Sequence, residues 1–412
     1  MSSPTDKERG EKPRPLRRRI VIEKADRYHR LLADPSEELK RVRRRAEARG
    51  FRIVDFSRTA PDLPLPETSG AAPAGGDLPG IRREIAERLE RERGVRLDPE
   101  TEILPLLHIP ESFRFLALAF VNPSDVVLIP DPGDPAYRVS AGVAGGWPIS
   151  YPLPAGRGFQ PDLDRIEPEA AYRARLLFAG YPHMPTGAWA PPGFFADLVR
   201  FAKEKNILVA HDATLAAAAL GGERPPGLLD HPEGKEVGVE FHSLAPFHQV
   251  GGWRPGFAAG NREILFAVET ILERLGQPSL AETAAPLRRA LDLPPEETAR
   301  AREVFRSRGA LAAEGIRALG WEVEEPLAGF HLWVRVPHGY HSVGFASLLL
   351  RKAGIAVLPG SSFGEFGHDR VLISLTEDEG AIRIALDRLA RLPRMRGKIA
   401  GWMHSGGKER AR

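Results

Sequence analysis

A rhythm in the middle of the chain constrains its fold more than any other feature: short apolar runs alternate there with helical stretches. VVLIP at 126–130, ARLLFAGYP at 174–182 and NILVAHD at 206–212 are brief and rich in Leu, Val, Ile and Ala. Between the last two lies GFFADLVRFAKEKN, which carries Phe194, Phe195, Leu198, Val199 and Phe201 at helical spacing. Strands apolar along most of their length are covered on both faces, and strands separated by helices pair in parallel. The expected fold class is therefore α/β, with a mainly parallel sheet. Ligands of such sheets sit beyond the carboxyl ends of the strands. Here those ends are Pro182 to Gly187, Asp212 and the turn after Phe241–His242.

A chain of 412 residues exceeds one ordinary core, so a second domain is expected. The C-terminal third has a different pattern: a long helix near 295–318, strands GWEVEE and FHLWVRV, a helix at 342–353, then strands IAVLP and RVLISL. That pattern is α+β. The expected divisions are a basic tail without regular structure at 1–19 and an N-terminal segment at 20–60. A large domain follows at 61–275, a small one at 286–392, and a second basic tail at 393–412. Within the N-terminal segment a helix is expected from Ala25 to Arg49 and a strand at FRIVDFS; Pro and Gly make 61–80 a loop. Ile81, Ile85 and Leu89 mark the next helix.

Cysteine is absent, which excludes disulfides, thiolate metal sites and a Cys nucleophile. The net charge is only +3, although basic residues cluster at Arg17–Arg19, Arg41–Arg45 and the C-terminus. No aromatic interleaving or nucleic-acid motif accompanies them, so they read as solvated faces and nucleic-acid binding is not expected. No apolar run could cross a bilayer, and the charged start is no secretory signal. A cytoplasmic protein is expected.

Five segments carry a family resemblance: VNPSDVVLIPDPGDPAY, YPHMPTGAW, ILVAHDATL, HSLAPFHQVGGWRPGF and AGIAVLPGSSFGEFGH. In this order and at this spacing they resemble the class I/II, fold type I, pyridoxal-phosphate aminotransferases of amino-acid metabolism, in the branch that includes LL-diaminopimelate aminotransferases. The resemblance implies a large domain with a seven-stranded-type sheet, a small α+β domain, and a homodimer with contacts from the N-terminal segment. It also implies pyridoxal phosphate as cofactor. Such chemistry needs a Schiff-base lysine, an aspartate on the pyridine nitrogen, a stacked aromatic, a phosphate cup and an arginine for the substrate carboxylate.

By this resemblance Asp212 matches the pyridine aspartate, and Ser243 and Arg254 match phosphate ligands. Six other contact positions depart from the pattern. Pro246 follows Ser243-Leu244-Ala245 where the lysine belongs, and proline offers no amine. His108 and Ile109 stand for the Gly–Ser phosphate turn, Asp134 for the stacking aromatic, and Met184 for an asparagine. Leu215 stands for a tyrosine and Leu372 for the carboxylate arginine, with Arg370 on the same strand face. Asp134 brings a second carboxylate towards Asp212. Lys235 falls on a surface turn and is not expected to substitute.

A catalytically degenerate homologue is expected, with no covalent cofactor and no transaminase activity. It would serve as a dimeric scaffold or regulator, pairing with itself or with an active relative, or as a binder of another ligand. Two alternatives stay open. One is an aminotransferase-type enzyme that uses pyridoxal phosphate through non-standard residues. The other is a metal site of His108, His183 and His248 with Asp134 and Asp212. In the degenerate reading Asp212 pairs with Arg254 or a histidine.

Overall fold

The computed structural model describes residues 22–25, 27–28, 36–48, 50, 52–66, 77–250, 252–275 and 280–392. The expectations for both basic tails fall outside these residues, as does most of the stretch before Ser36. The chain runs α1 (Ser36–Glu47), β1 (Val54–Phe56), β2 (Leu63–Pro64), α2 (Leu78–Arg93), β3 (Ile103–Leu106), α3 (Ile109–Phe120), β4 (Val126–Asp131) and α4 (Pro135–Ala144). It continues with β5 (Trp147–Pro152), α5 (Pro168–Arg173), β6 (Ala174–Gly180), α6 (Phe194–Lys205), β7 (Leu208–Asp212), α7 (Gly234–Val237), β8 (Gly238–Ser243), β9 (His248–Gln249), β10 (Gly256–Gly260) and α8 (Arg262–Arg274). The last part holds α9 (Leu280–Leu291), α10 (Pro295–Ala318), β11 (Val323–Glu324), β12 (His331–Arg335), α11 (Ser342–Ala353), β13 (Ile355–Pro359), β14 (Arg370–Ser374) and α12 (Glu379–Ala390).

Seven strands form one sheet in the order β3-β10-β8-β7-β6-β4-β5, in which β10 alone runs antiparallel to its neighbours. The central strands are apolar because both faces are covered. Phe113, Phe178, Phe241 and Tyr137 pack on one side; Leu177, Val209, Leu198 and Phe194 pack on the other. A five-stranded sheet, β1-β13-β14-β12-β11, forms the small domain and takes β1 from the N-terminal segment. Helix α1 packs on α11 beside it.

Two expectations are corrected. Residues 61–80 are not all loop, since Leu63 and Pro64 pair in parallel with His248 and Gln249. Pro64, without an N–H, stands at the end of this two-residue edge pairing. The small domain also does not begin at 286. Helix α9 spans that position, and its Ala284, Leu287 and Ala290 pack with Ile81, Ile85 and Ile103 of the large domain.

The two domains meet through backbone as well as side chains. Asp131, buried at the end of β4, accepts hydrogen bonds of 3.0 Å from the N–H groups of Glu365 and Phe366 in the small domain. Gly364 makes this approach possible. Its φ is +131°, and a Cβ there would lie 2.2 Å from Asp131 Oδ1.

Candidate functional site

The site forms where β7 and β8 end and where the antiparallel strand β10 begins. Register places Gly180 opposite Asp212, Asp212 opposite Phe241, and Ser243 opposite Gly256. Arg254 bridges to His108 just past the end of β3, and its N–H donates to Leu107 O at 3.1 Å. Asp212, Ser243, Arg254 and His108 therefore share one rim, as the doubly wound pattern requires.

Asp212 does not pair with Arg254 or with a histidine, contrary to expectation. Its Oδ1 accepts from Thr214 N at 3.0 Å and from Thr214 Oγ1 at 2.6 Å; its Oδ2 accepts from the Tyr137 hydroxyl at 2.7 Å. A buried carboxylate needs such partners wherever it stands. Tyr137 is held flat against Phe178, with centroids 4.8 Å apart. Burial, aided by the charges of Asp212 and Asp134, holds its phenol far above the usual range.

Asp134 caps α4, accepting from Ala136 N at 2.8 Å. Burial pushes its carboxyl up to about 6; the Asp212 charge adds to this, and the Ala136 N–H and Arg254 oppose it. The repulsion expected between the two carboxylates is thus relieved by a proton at mildly acidic pH.

Arg254 is half-buried, and no carboxylate among the described residues lies within ion-pair distance of it. Burial lowers its pKa, and Asp134 alone opposes that shift. Helix α3 starts beside it with His108 as N-cap residue, whose side chain makes no capping bond. His108 Nδ1 is buried without a hydrogen-bond partner, and burial, with Arg254 nearby, holds the ring neutral-leaning. Ile109 is buried in the core behind that start. An arginine without a counter-ion next to a helix start is suited to an anion.

The opposite wall is apolar. Leu372 packs with Met184, Trp333, Phe363 and Tyr181 in one cluster. Arg370 does not reach past Leu372 into the cleft; it pairs with Glu324 at 3.3 Å and Asp369 at 3.7 Å. Leu215 packs on the small-domain core. Pro246 and Ala245 are buried, and the next residue, Phe247, stacks on Phe305 of α10 at 5.2 Å. The segment where the amine belongs is thus seated in apolar contacts.

Lys203, Lys205, Lys235 and Lys352 lie away from this rim. Lys235 binds Glu102 at 2.9 Å, and Lys203 binds Glu233 and Glu236 at 2.6 and 2.8 Å, all at the amino ends of the strands. That end carries a groove of about 510 Å³, lined by Lys203, Asn206, Glu236 and Asn261. It lies on the side of the sheet away from Asp212. Lys205 and Lys352 close their helices on the surface.

Nor do the histidines assemble a metal site, since the described residues hold no group of three suitable ligands. His183 has both ring nitrogens engaged, by Thr186 Oγ1 at 2.9 Å and Pro132 O at 3.0 Å, and burial lowers it to about 4. His248 sits apart on β9, near Glu297.

Four participants escaped the sequence reading: Tyr137, Thr214, His331 and Trp333. Tyr137 could have been flagged three residues after Asp134 in GDPAY, where a helix turn returns it to the rim. His331 and Trp333 are two apart in a strand and so share a face.

A two-domain α/β fold with its site at this rim is the architecture of fold type I aminotransferases. The model of the family "Aminotransferase class I and II" matches residues 74–389. The chain belongs to that family. It is 36% identical over 356 residues to an LL-diaminopimelate aminotransferase of Desulforudis audaxviator, covering 83% of this chain and 91% of the relative. It is 35% identical over 370 residues to the enzyme of that name from Aquifex aeolicus, covering 86% and 95%. Substrate-bound BacF from Bacillus subtilis superposes with a TM-score of 0.82 at 29% identity, covering 90% of this chain and 98% of that one. N-succinyldiaminopimelate aminotransferase from Mycobacterium tuberculosis superposes with 0.78 at 25% identity, covering 89% and 99%.

The family's cofactor is pyridoxal phosphate, which supplies an electron sink for amino-acid chemistry. Its phosphate finds fitting residues here in Arg254, Ser243 and the start of α3. Its carbonyl does not, because Pro246 has no amine. The residues present fit half of the group, and no covalent step follows from them.

Proposed function

We propose that this chain is a non-transaminating member of its family, a dimeric binding protein that holds an anionic ligand without covalent capture. One observation carries the reading: buried Pro246 stands where the family's lysine belongs, while Lys203 and Lys235 pair with carboxylates at the amino ends of the strands. A Schiff base needs a primary amine at bonding distance, and turnover needs the same amine to move a proton. The uncompensated Arg254 beside the start of α3 supports retention of an anion pocket. Met184 and Leu372 in apolar packing support the loss of amino-acid recognition. The dimer is proposed from family membership, and a scaffold or regulatory role would use that surface.

The test is an absorbance scan of the full chain with pyridoxal phosphate, followed by borohydride and peptide mass mapping. No borohydride-stable lysyl adduct and no amino-acid turnover are expected. A stoichiometric adduct on one lysine, together with transamination, overturns the reading.

A further inference from the structure

The five-stranded sheet of the small domain is covered on both faces, and only one cover is its own. Leu332, Val334, Val371 and Ile373 enter the small-domain core with Phe305 of α10 and Phe345 of α11. Trp333 and Leu372, which alternate with them along β12 and β14, lie on the other face. There they join Phe363 in one apolar cluster with Tyr181 and Met184 of the large domain. Leu372 is 0% exposed, and Trp333 and Tyr181 are 1% exposed. Domains move against each other by default unless the interface between them is large and apolar. This one is packed like a core.

Backbone bonds join the domains at two places around this cluster. At the first, Gly133 N donates to Phe363 O at 2.7 Å, beside the Asp131 tie. At the second, Leu327 N donates to Gly187 O at 3.1 Å, Leu220 N to Leu327 O at 2.9 Å and Gly329 N to Ala218 O at 3.0 Å. Gly187 has a φ of +71°, and a Cβ on it would stand 2.5 Å from Pro326, so the domains meet there with no room for a side chain. Two departures from the family pattern make the contact apolar: Leu372 in place of an arginine and Met184 in place of an asparagine. A guanidinium or amide at this depth needs a polar partner, whereas Leu and Met need only neighbours to pack on.

We infer that Met184, Trp333 and Leu372 form a self-occluding contact: the chain's own side chains fill the Leu372 wall of the cleft and hold the two domains closed with no ligand bound. Separating the domains then requires the same loss of packing as unfolding the small domain. The inference goes beyond the anion-pocket reading and does not use Arg254.

The test is amide hydrogen exchange of the full chain, corrected for intrinsic rates. The N–H groups of Gly133, Leu220, Leu327 and Gly329 bond across the domains, so domain separation frees them while β12 and β14 stay paired with each other. In the wild type these four are expected to exchange within about tenfold of the β12 and β14 amides, because both sets wait for the same opening. Leu372→Ala empties the contact and should speed the four by about tenfold or more relative to the strand amides. Met184→Ala should do the same from the large-domain side, and it serves if the first variant does not fold. Ile373→Ala, one residue from Leu372 but facing the small-domain core, should speed the strand amides at least as much as the four. A wider gap in the wild type overturns the inference, as does the absence of a selective response to the Leu372 and Met184 variants. Neither result touches the anion-pocket reading, which phosphate binding at Arg254 tests separately.

Discussion

The Tyr137 hydroxyl donates to Oδ2 of Asp212 across 2.7 Å, and a chain without a side chain at position 180 makes room for it. A Cβ on Gly180 would stand 2.6 Å from that hydroxyl oxygen. Two strands and a helix thus meet at one hydrogen bond: β7 supplies the acid, the adjacent β6 the gap, and α4 the phenol. Thr214 completes the coordination from the turn after β7.

Tyr137→Phe leaves Asp212 with Thr214 as its donor. Since a hydrogen bond to a charged group contributes about 1.5–3 kcal/mol, a loss of that order in urea-unfolding free energy is expected. Gly180→Ala should cost a similar amount by pushing the phenol away, and the double variant should cost less than the sum of the two. Strict additivity would mean that the two positions do not act through this bond.

Asp134 governs how the pocket responds to pH. With its carboxyl at about 6, raised by burial and by Asp212, it gains a proton as pH falls from 7 to 5 and no longer competes for Arg254. Binding of sulfate, which does not titrate in this range, is expected to tighten several-fold over that interval. Asp134→Asn should bind sulfate tightly at both pH values. A wild-type affinity that stays flat with pH refutes the assignment.

Stability should fall on acidification through His183. Burial brings this ring to about 4 in the fold, against about 6.5 for an unperturbed histidine. Between those values the unfolded chain binds the proton and the folded one does not, so stability is full above about 6.5 and drains away towards 4. Asp134 acts in the opposite sense, because its raised carboxyl favours the folded state below about 6. Denaturation midpoints of His183→Asn measured between pH 4 and 7 should slope less than those of the wild type. An unchanged slope assigns the acid sensitivity elsewhere.

Asp131 ties the domains together, so Asp131→Ala should weaken the closed arrangement more than the separate cores. Two charge-assisted bonds to Glu365 N and Phe366 N are lost, at about 1.5–3 kcal/mol each. Faster proteolysis within 360–367 is the expected readout. Gly364→Ala should reproduce it, since φ of +131° and contact with Asp131 both exclude a side chain. Unaltered cleavage rates in both variants would show that other contacts hold the cleft.

The sequence alone determined the βα rhythm, because a strand covered on both faces must be apolar throughout. It also fixed the address of the site, because parallel strands present their carboxyl ends together. The loss of an amine at position 246 was equally plain, since proline has no amine in any fold. Tertiary structure alone decided which partners the remaining groups have. Asp212 could have paired with Arg254, but distance gave it Tyr137 and Thr214 and left the guanidinium without a counter-ion. Arg370 and Leu372 share a strand face, yet Glu324 on β11, one strand beyond the adjacent β12, takes the arginine. Hydrogen bonding depends on what stands within about 3 Å, and in a two-domain chain those neighbours come from far along the sequence.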